Sequence, residues 1–388
     1  MRQPGRAFWV ATIAFVLLSV AARAQVPGPA SLTEDGRPRQ AVDAQGTAAA
    51  QPPQAAASAS TPIRLGVLSY ISFQAGDLPD SDSRFLVKRT YINVEADVLP
   101  YMSVRVTPDA RLSDDGFELR LKYAYAQFKS GGNRFVTAPT LQAGIVPTPW
   151  FPFEERVNRY RMQDPMFIER VGILNSADVG VTVSGLFGGT LSEDVRRATG
   201  DHQPGRWGSF ALGVYNGGGY AAREENSNKV FHARLTARPL PDSVPGLQVS
   251  YLLIRGAGNT EVAPDWRDNL ITVSWEHPRV AASVQWLDGR GNQSGSCADP
   301  DSANAWPHRG WSVFGEGRLG PRWSVIARLD DFQTDTRVPG SRYRRAISGV
   351  AYHLGRGNSL LADIDHRNWL DPARPDETRY QVTLQISF

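Results

Sequence analysis

Chemistry in this chain would concentrate between Pro147 and Asp178, where the run PTPWFPFEERVNRYRMQDPMFIERVGILNSAD mixes aromatics, prolines and charges. Its cations are Arg156, Arg159, Arg161 and Arg170, and its acids are Glu154, Glu155, Asp164 and Glu169. A guanidinium offers a rigid fork of donors to an oxyanion, and a ring of such groups around a passage favours anions over cations. The same residues have a plainer use, in which opposite charges pair with one another and hold the segment in place.

Other chemistries find less support. Nucleophilic catalysis needs a Ser or Asp with a His beside it; His232 and His353 lie in strand-like segments, and neither accompanies a nucleophile signature such as G-x-S-x-G. The six histidines, His202, His232, His277, His308, His353 and His366, show no ligand spacing. They read as polar lining or loop residues. The single Cys297 excludes a disulfide framework and a Cys-based metal site. Gly217-Gly218-Gly219 lacks the following Lys and helix of a phosphate cradle. The reading therefore carries no catalytic residue, no cofactor and no metal.

The elements that must position the charged run are strands. Along Glu377–Phe388, Tyr380, Val382, Leu384, Ile386 and Phe388 alternate with Arg379, Gln381, Thr383, Gln385 and Ser387, so one face is oily and the other wet. Sixteen such segments follow one another: 63–74, 84–98, 101–108, 117–129, 140–146, 178–187, 207–215, 229–238, 246–256, 266–277, 279–288, 309–318, 322–333, 342–354, 358–367 and 377–388. Tight connections, such as Leu99-Pro100 and Gly355–Gly357, interleave with long ones, such as 147–177 and 289–308. Short turns at one end and long loops at the other mark a membrane barrel. The long connection 188–206 breaks the rhythm and leaves fourteen or eighteen strands as alternatives. Closure follows from physics, because in hydrocarbon only a closed strand system leaves no unpaired edge. About sixteen strands make a ring too wide for side chains to fill.

The fold class is thus all-β, a transmembrane antiparallel barrel with its third external loop, 147–177, folded inward. Tyr101, Trp207, Trp266, Trp275, Trp286, Trp311 and Trp323 near segment ends fit aromatic girdles at the two interfaces. The wet faces offer Arg64, Arg89, Arg105, Arg120, Lys122, Arg234 and Arg328 to the lumen, interspersed with Glu95, Asp97, Glu118, Asp330 and Asp363. In the fourth segment Lys122 is assigned to the wet face and Tyr123 to the oily one.

The start of the chain supplies the address. Arg2 and Arg6, the apolar run Phe8–Val20 and Ala22-Arg23-Ala24 form a secretory signal peptide over 1–24. That run is shorter than the roughly 20 residues of a spanning helix. Residues 25–62, rich in Ala, Pro and Gln, read as a disordered periplasmic tether, and 63–388 as the barrel. Without Arg2, Arg6 and Arg23 the 42 basic residues fall level with the 39 acidic ones, so net charge does not point to nucleic acid. All but Lys88, Lys122, Lys129 and Lys229 are arginines.

The run Gln142, Gly144, Pro149, Trp150, Glu154, Glu155, Arg156, Tyr160, Arg161, Glu169 and Arg170, followed by Ser176-Ala177-Asp178-Val179-Gly180 and Val214-Tyr215-Asn216-Gly217, resembles the phosphate-selective porin O and P family. The resemblance covers about Arg64 to Phe388. It implies a sixteen-stranded barrel, a homotrimer in the Gram-negative outer membrane, passing small hydrophilic solutes, chiefly anions such as phosphate or pyrophosphate. The terminal Phe388, ending an alternating strand, resembles the C-terminal signature of outer-membrane barrels that the barrel-insertion machinery reads. The family's selective members use several lysines in the pore, and this chain is poor in lysine, so a general or carbohydrate-type diffusion porin is the alternative. A barrel enzyme and a soluble periplasmic binding protein are alternatives of another class.

Overall fold

The computed structural model describes residues 61–78, 83–113, 116–199, 203–300 and 303–388. The expected signal peptide, nearly all of the tether, and His202 lie outside them. The strands are β1 (Ile63–Gly76), β2 (Arg84–Leu99), β3 (Met102–Ser113), β4 (Gly116–Lys129), β5 (Val136–Pro147), β6 (Ala177–Phe187), β7 (Gly208–Tyr215), β8 (Val230–Ala237), β9 (Leu247–Ala257), β10 (Asp265–His277), β11 (Val280–Arg290), β12 (Pro307–Arg318), β13 (Trp323–Gln333), β14 (Arg342–Gly355), β15 (Asn358–Trp369) and β16 (Glu377–Ser387). Each pairs antiparallel with its neighbours in the chain, and β1 pairs with β16, so the sixteen close into one ring. At the seam the Val67 amide donates to the Phe388 carbonyl at 2.9 Å, and the Phe388 amide donates back to Val67 at 3.2 Å. The sixteen-strand reading, rather than fourteen or eighteen, holds.

Burial runs inside out relative to a water-soluble domain. Val179, Val181, Ile271, Val273, Val284, Leu360, Ile364 and Val382 are exposed on the outer face, while Ser72, Gln74, Thr272, Ser274 and Thr383 on the inner face are buried. Because strand side chains alternate, this phase repeats around the wall. Tyr101, Trp207, Trp275, Trp286 and Trp323 are exposed outward, as a girdle requires. Trp266 departs from the girdle reading: it is fully buried on the inner side, and its Nε1 donates to Asp268 at 2.7 Å.

Bulges account for the misread phases. Between β3 and β4 the register slips at Thr107/Pro108, since a proline cannot donate to a ladder and seats itself at an irregularity. Leu121 remains outward, whereas Lys122, Tyr123 and Tyr125 all line the interior. Tyr123 therefore belongs to the wet face, contrary to the simple alternation. β3 also runs on to Ser113, five residues beyond the expected end of its segment at 108. The long connection 188–206 carries a short helix, α3 (Glu193–Thr199), and an isolated bridge from Thr190 to Gly205. Gly144 at φ +126° lets β5 approach β4, where a Cβ would meet the Ala124 carbonyl at 2.2 Å.

Candidate functional site: two cationic cavities and the connection between β5 and β6

Between β5 and β6 the chain forms α1 (Phe151–Val157) and α2 (Phe167–Arg170). Pro152 starts α1, where its missing N–H costs nothing. Trp150, Phe151, Phe153, Phe167 and Ile168 are buried in one cluster with Leu252, Ile254, Leu270 and Leu287 of the wall. These wall positions lie on the inner face, so the connection packs against the barrel through apolar surface.

Polar bonds then tie it to strands around the ring. Arg234 Nε of β8 donates to the Pro149 carbonyl at 2.9 Å, and Gln285 Nε2 of β11 to Glu154 Oε1 at 2.6 Å. Tyr160 donates its hydroxyl to Glu316 of β12 at 2.7 Å, and Arg328 Nη1 of β13 reaches the Pro165 carbonyl at 3.2 Å. Gln163 O accepts from Gln381 of β16 at 2.7 Å, and Lys88 Nζ of β2 donates to Met162 O at 3.1 Å.

Asp164 is the densest node. It faces Arg379 at 2.8 Å, Arg345 at 3.4 Å and Lys88 at 3.8 Å. Burial alone would favour its protonated form, but these cations and Arg170 outweigh burial and hold the carboxyl well below its usual range.

Two cavities flank the connection. The first, 710 Å³, is lined by Arg105, Lys122, Arg156, Arg159, Arg161 and Arg234, with Glu155 the one acid among the described residues. The second, 570 Å³, is lined among the described residues by nine cations against Glu118, Asp164 and Glu169. The first reaches Leu186 and Gln203 beside the 188–206 connection, and the second reaches Leu78 and Leu112 at the opposite strand ends. Among the described residues, only Tyr70 and Arg161 line both. Arg161 is held by Glu169, with Nη2 to Oε1 at 2.8 Å, and lies 3.5 Å from Glu155. Burial works against its charge, and these two carboxylates more than offset it.

The sequence-derived candidates distribute as follows. Arg156, Arg159, Glu155, Arg105, Lys122 and Arg234 line the first cavity, Arg89 and Arg170 the second, and Arg161 both. Glu154 is buried and lines neither, accepting from Trp150 Nε1 at 2.5 Å as well as from Gln285. Arg328, bonded to Asp330 at 2.9 Å, and Arg120, bonded to Asp109 at 2.9 Å, also line neither. Arg64 is exposed and paired with Asp97. The Arg170 guanidinium makes no hydrogen bond to the described residues, its nearest carboxylate oxygen being Asp330 at 3.7 Å. Burial, then the like charges of Arg328 and Arg345, weaken its hold on its proton.

Six cations of the second cavity escaped the sequence reading as site residues: Arg84, Lys88, Arg111, Arg345, Arg367 and Arg379. For Arg367 and Arg379 the signal was present in strand alternation, with Arg379 opposite Tyr380, whereas Lys88 lies at the β1–β2 bulge beside the wet-face Arg89 and Arg111 lies beyond the expected end of its segment.

A hydroxyl–imidazole contact also exists, with Ser324 Oγ 2.9 Å from His353 Nε2. Ser324 is fully buried and donates its proton to Glu316 at 3.0 Å. The imidazole is then the donor to that oxygen, the reverse of a general base.

No protein-family model and no curated protein matches the chain, but solved structures do. It is similar to the anion-selective porin from Comamonas acidovorans, with TM-score 0.60, 10% identity, and 84% of this chain and 100% of that one covered. It is similar to the outer membrane channel DcaP of Acinetobacter baumannii, with TM-score 0.53, 10% identity, and 84% and 97% covered. The OmpF of Salmonella typhi, solved with daunomycin, aligns with TM-score 0.53, 11% identity, and 84% and 98% covered. The chain has the closed sixteen-strand barrel fold of the outer-membrane porins.

Proposed function

We propose that this protein is an outer-membrane porin, a water-filled channel through which small hydrophilic anions diffuse passively, and not an enzyme. One observation carries the reading: two cation-rich cavities, opening toward opposite ends of the barrel, share the guanidinium of Arg161. In this reading 147–177 is the inward-folded third external loop, supported by its bonds to strands around the ring, and Arg161 stands at the waist it creates. Inorganic phosphate and pyrophosphate are candidate permeants on the resemblance to the porin O and P family. Residues 1–24 direct export, 25–62 remain in the periplasm, Phe388 addresses the insertion machinery, and three copies assemble.

A general-diffusion porin is the second reading, favoured by the carboxylates of Glu155 and Glu169 beside Arg161. Planar-bilayer recording in a KCl gradient separates the two. Anion diffusion predicts a zero-current potential near the chloride equilibrium value. A potential near zero supports the general porin, and a potential near the potassium value removes the anion reading.

A further inference from the structure

The first cavity is unusual for a path meant only for small inorganic ions, because its wall interleaves cations with aromatic rings. Tyr70, Tyr91, Tyr123, Tyr125 and Phe153 all line it. The charges sit against the rings: Lys122 Nζ lies 4.3 Å from the Tyr91 ring centre, the Arg105 guanidinium 4.9 Å from that of Tyr123, and the Arg234 guanidinium 5.4 Å from that of Phe153. Tyr123 and Tyr125 meet edge to face, with centroids 6.3 Å apart. A compact, strongly hydrated anion gains nothing from ring surface. A flat apolar body does, by stacking and by displacing water from the rings.

Resting on the anion-channel reading, we infer that the first cavity is a binding site for aromatic carboxylates or sulfonates, which place the anionic group on Arg105 and Lys122 and the ring against Tyr123 and Tyr125. The volume of 710 Å³ is ample for one substituted ring with its water. The second cavity lacks this character: among the described residues Tyr70 is the one aromatic in its wall. Selection by shape and apolarity would therefore occur on one side of the Arg161 waist, and selection by charge on both.

The test is block of chloride current in planar bilayers by benzoate, acetate and inorganic phosphate, each added to the same channel. Benzoate is expected to reduce the current at concentrations about fivefold lower than acetate, the gain a ring contact typically supplies, and lower than phosphate. The double variant Tyr123→Leu, Tyr125→Leu should lose most of that advantage. Its remaining chloride current reports that the barrel has assembled. Equal block by benzoate and acetate in the wild type, with chloride selectivity intact, overturns this inference alone. A benzoate advantage undiminished in the double variant removes the site from this cavity. A potassium-selective zero-current potential instead overturns the anion reading beneath it.

Discussion

Replacing Arg161 with Ala is expected to lower the chloride-to-potassium permeability ratio by about tenfold. A unit charge about 5 Å from a permeating ion in a water-like medium contributes about 0.8 kcal/mol. Cation and anion feel it with opposite sign, so the ratio moves by about twice that energy. Among the described residues the side chain is also the one cation common to both cavities, so an ion passing between them cannot avoid its field. Its removal leaves Glu155 and Glu169 facing the same space with less compensation. Arg161→Lys should keep most of the ratio, because it keeps the charge. Arg156→Ala should change it less, since Arg156 lines only the first cavity. Zero-current potentials for the three variants check the ordering, and an Arg161→Ala channel as selective as the wild type would reduce this residue to scaffolding.

The second large effect concerns what keeps the connection in place. Asp164→Asn is expected to loosen 147–177, because one neutral amide replaces the carboxylate shared by Arg379, Arg345 and Lys88. Removing one partner of a buried ionic group typically costs 3–5 kcal/mol; for Asp164, about a fifth exposed, roughly 3 kcal/mol is the appropriate end. Arg345 and Arg379 retain Asp365, at 2.5 Å and 2.9 Å, so they stay charged and partnered while Lys88 loses its carboxylate. The variant should therefore show faster proteolytic cleavage within 147–177 and noisier current, with anion preference kept or raised. That direction is opposite to Arg161→Ala.

Acid should reproduce the loosening. A carboxyl whose folded value is depressed contributes stability that is present above its unfolded value, about 4, and is lost as pH falls through the folded one. Asp164 lies well below the usual range, so the wild-type connection should hold through neutral and mildly acidic solution and release only in strong acid. Cleavage of Asp164→Asn at the wild-type rate at neutral pH would contradict the role assigned to this residue.

How much of this was legible in the sequence depends on which rule each residue obeys. The wall was legible because strand periodicity is local: Tyr380, Val382 and Leu384 against Arg379, Gln381 and Thr383 specify two faces without reference to any other segment. The failures arose where a residue answers to something distant. Tyr123 changed sides because Pro108, on the neighbouring strand, forces a register slip. Trp266 followed the headgroup rule in type and position, yet turns inward, against His232 at 5.6 Å between ring centres and toward the carboxylate of Asp268.

The inner wall was read as uniformly polar, although the run Leu252-Leu253-Ile254 breaks alternation. Leu252 and Ile254 are the floor on which Trp150 and Phe153 pack. That break was the available signal that something apolar lies inside the ring. For the site, the charged residues of 147–177 could be named from composition. Whether each lines a cavity, as Arg161 does, or is spent on anchoring, as Glu154 is, depends on which strand lies opposite, and no local pattern encodes that.

The proposed channel requires water on the inner face of the wall and lipid on the outer, with anions favoured inside. With Cys297→Ser as background, Ser184→Cys, on the wall of the first cavity, and Val181→Cys, exposed on the outer face, give the most direct test. Each variant, reconstituted in lipid vesicles, is treated with methanethiosulfonate reagents of similar size and opposite charge. The expected result is modification at position 184, several-fold faster with the anionic reagent, and none at 181. Modification at 181 but not at 184 would put water on the wrong face of the wall, and equal rates for the two reagents at 184 would remove the anion preference.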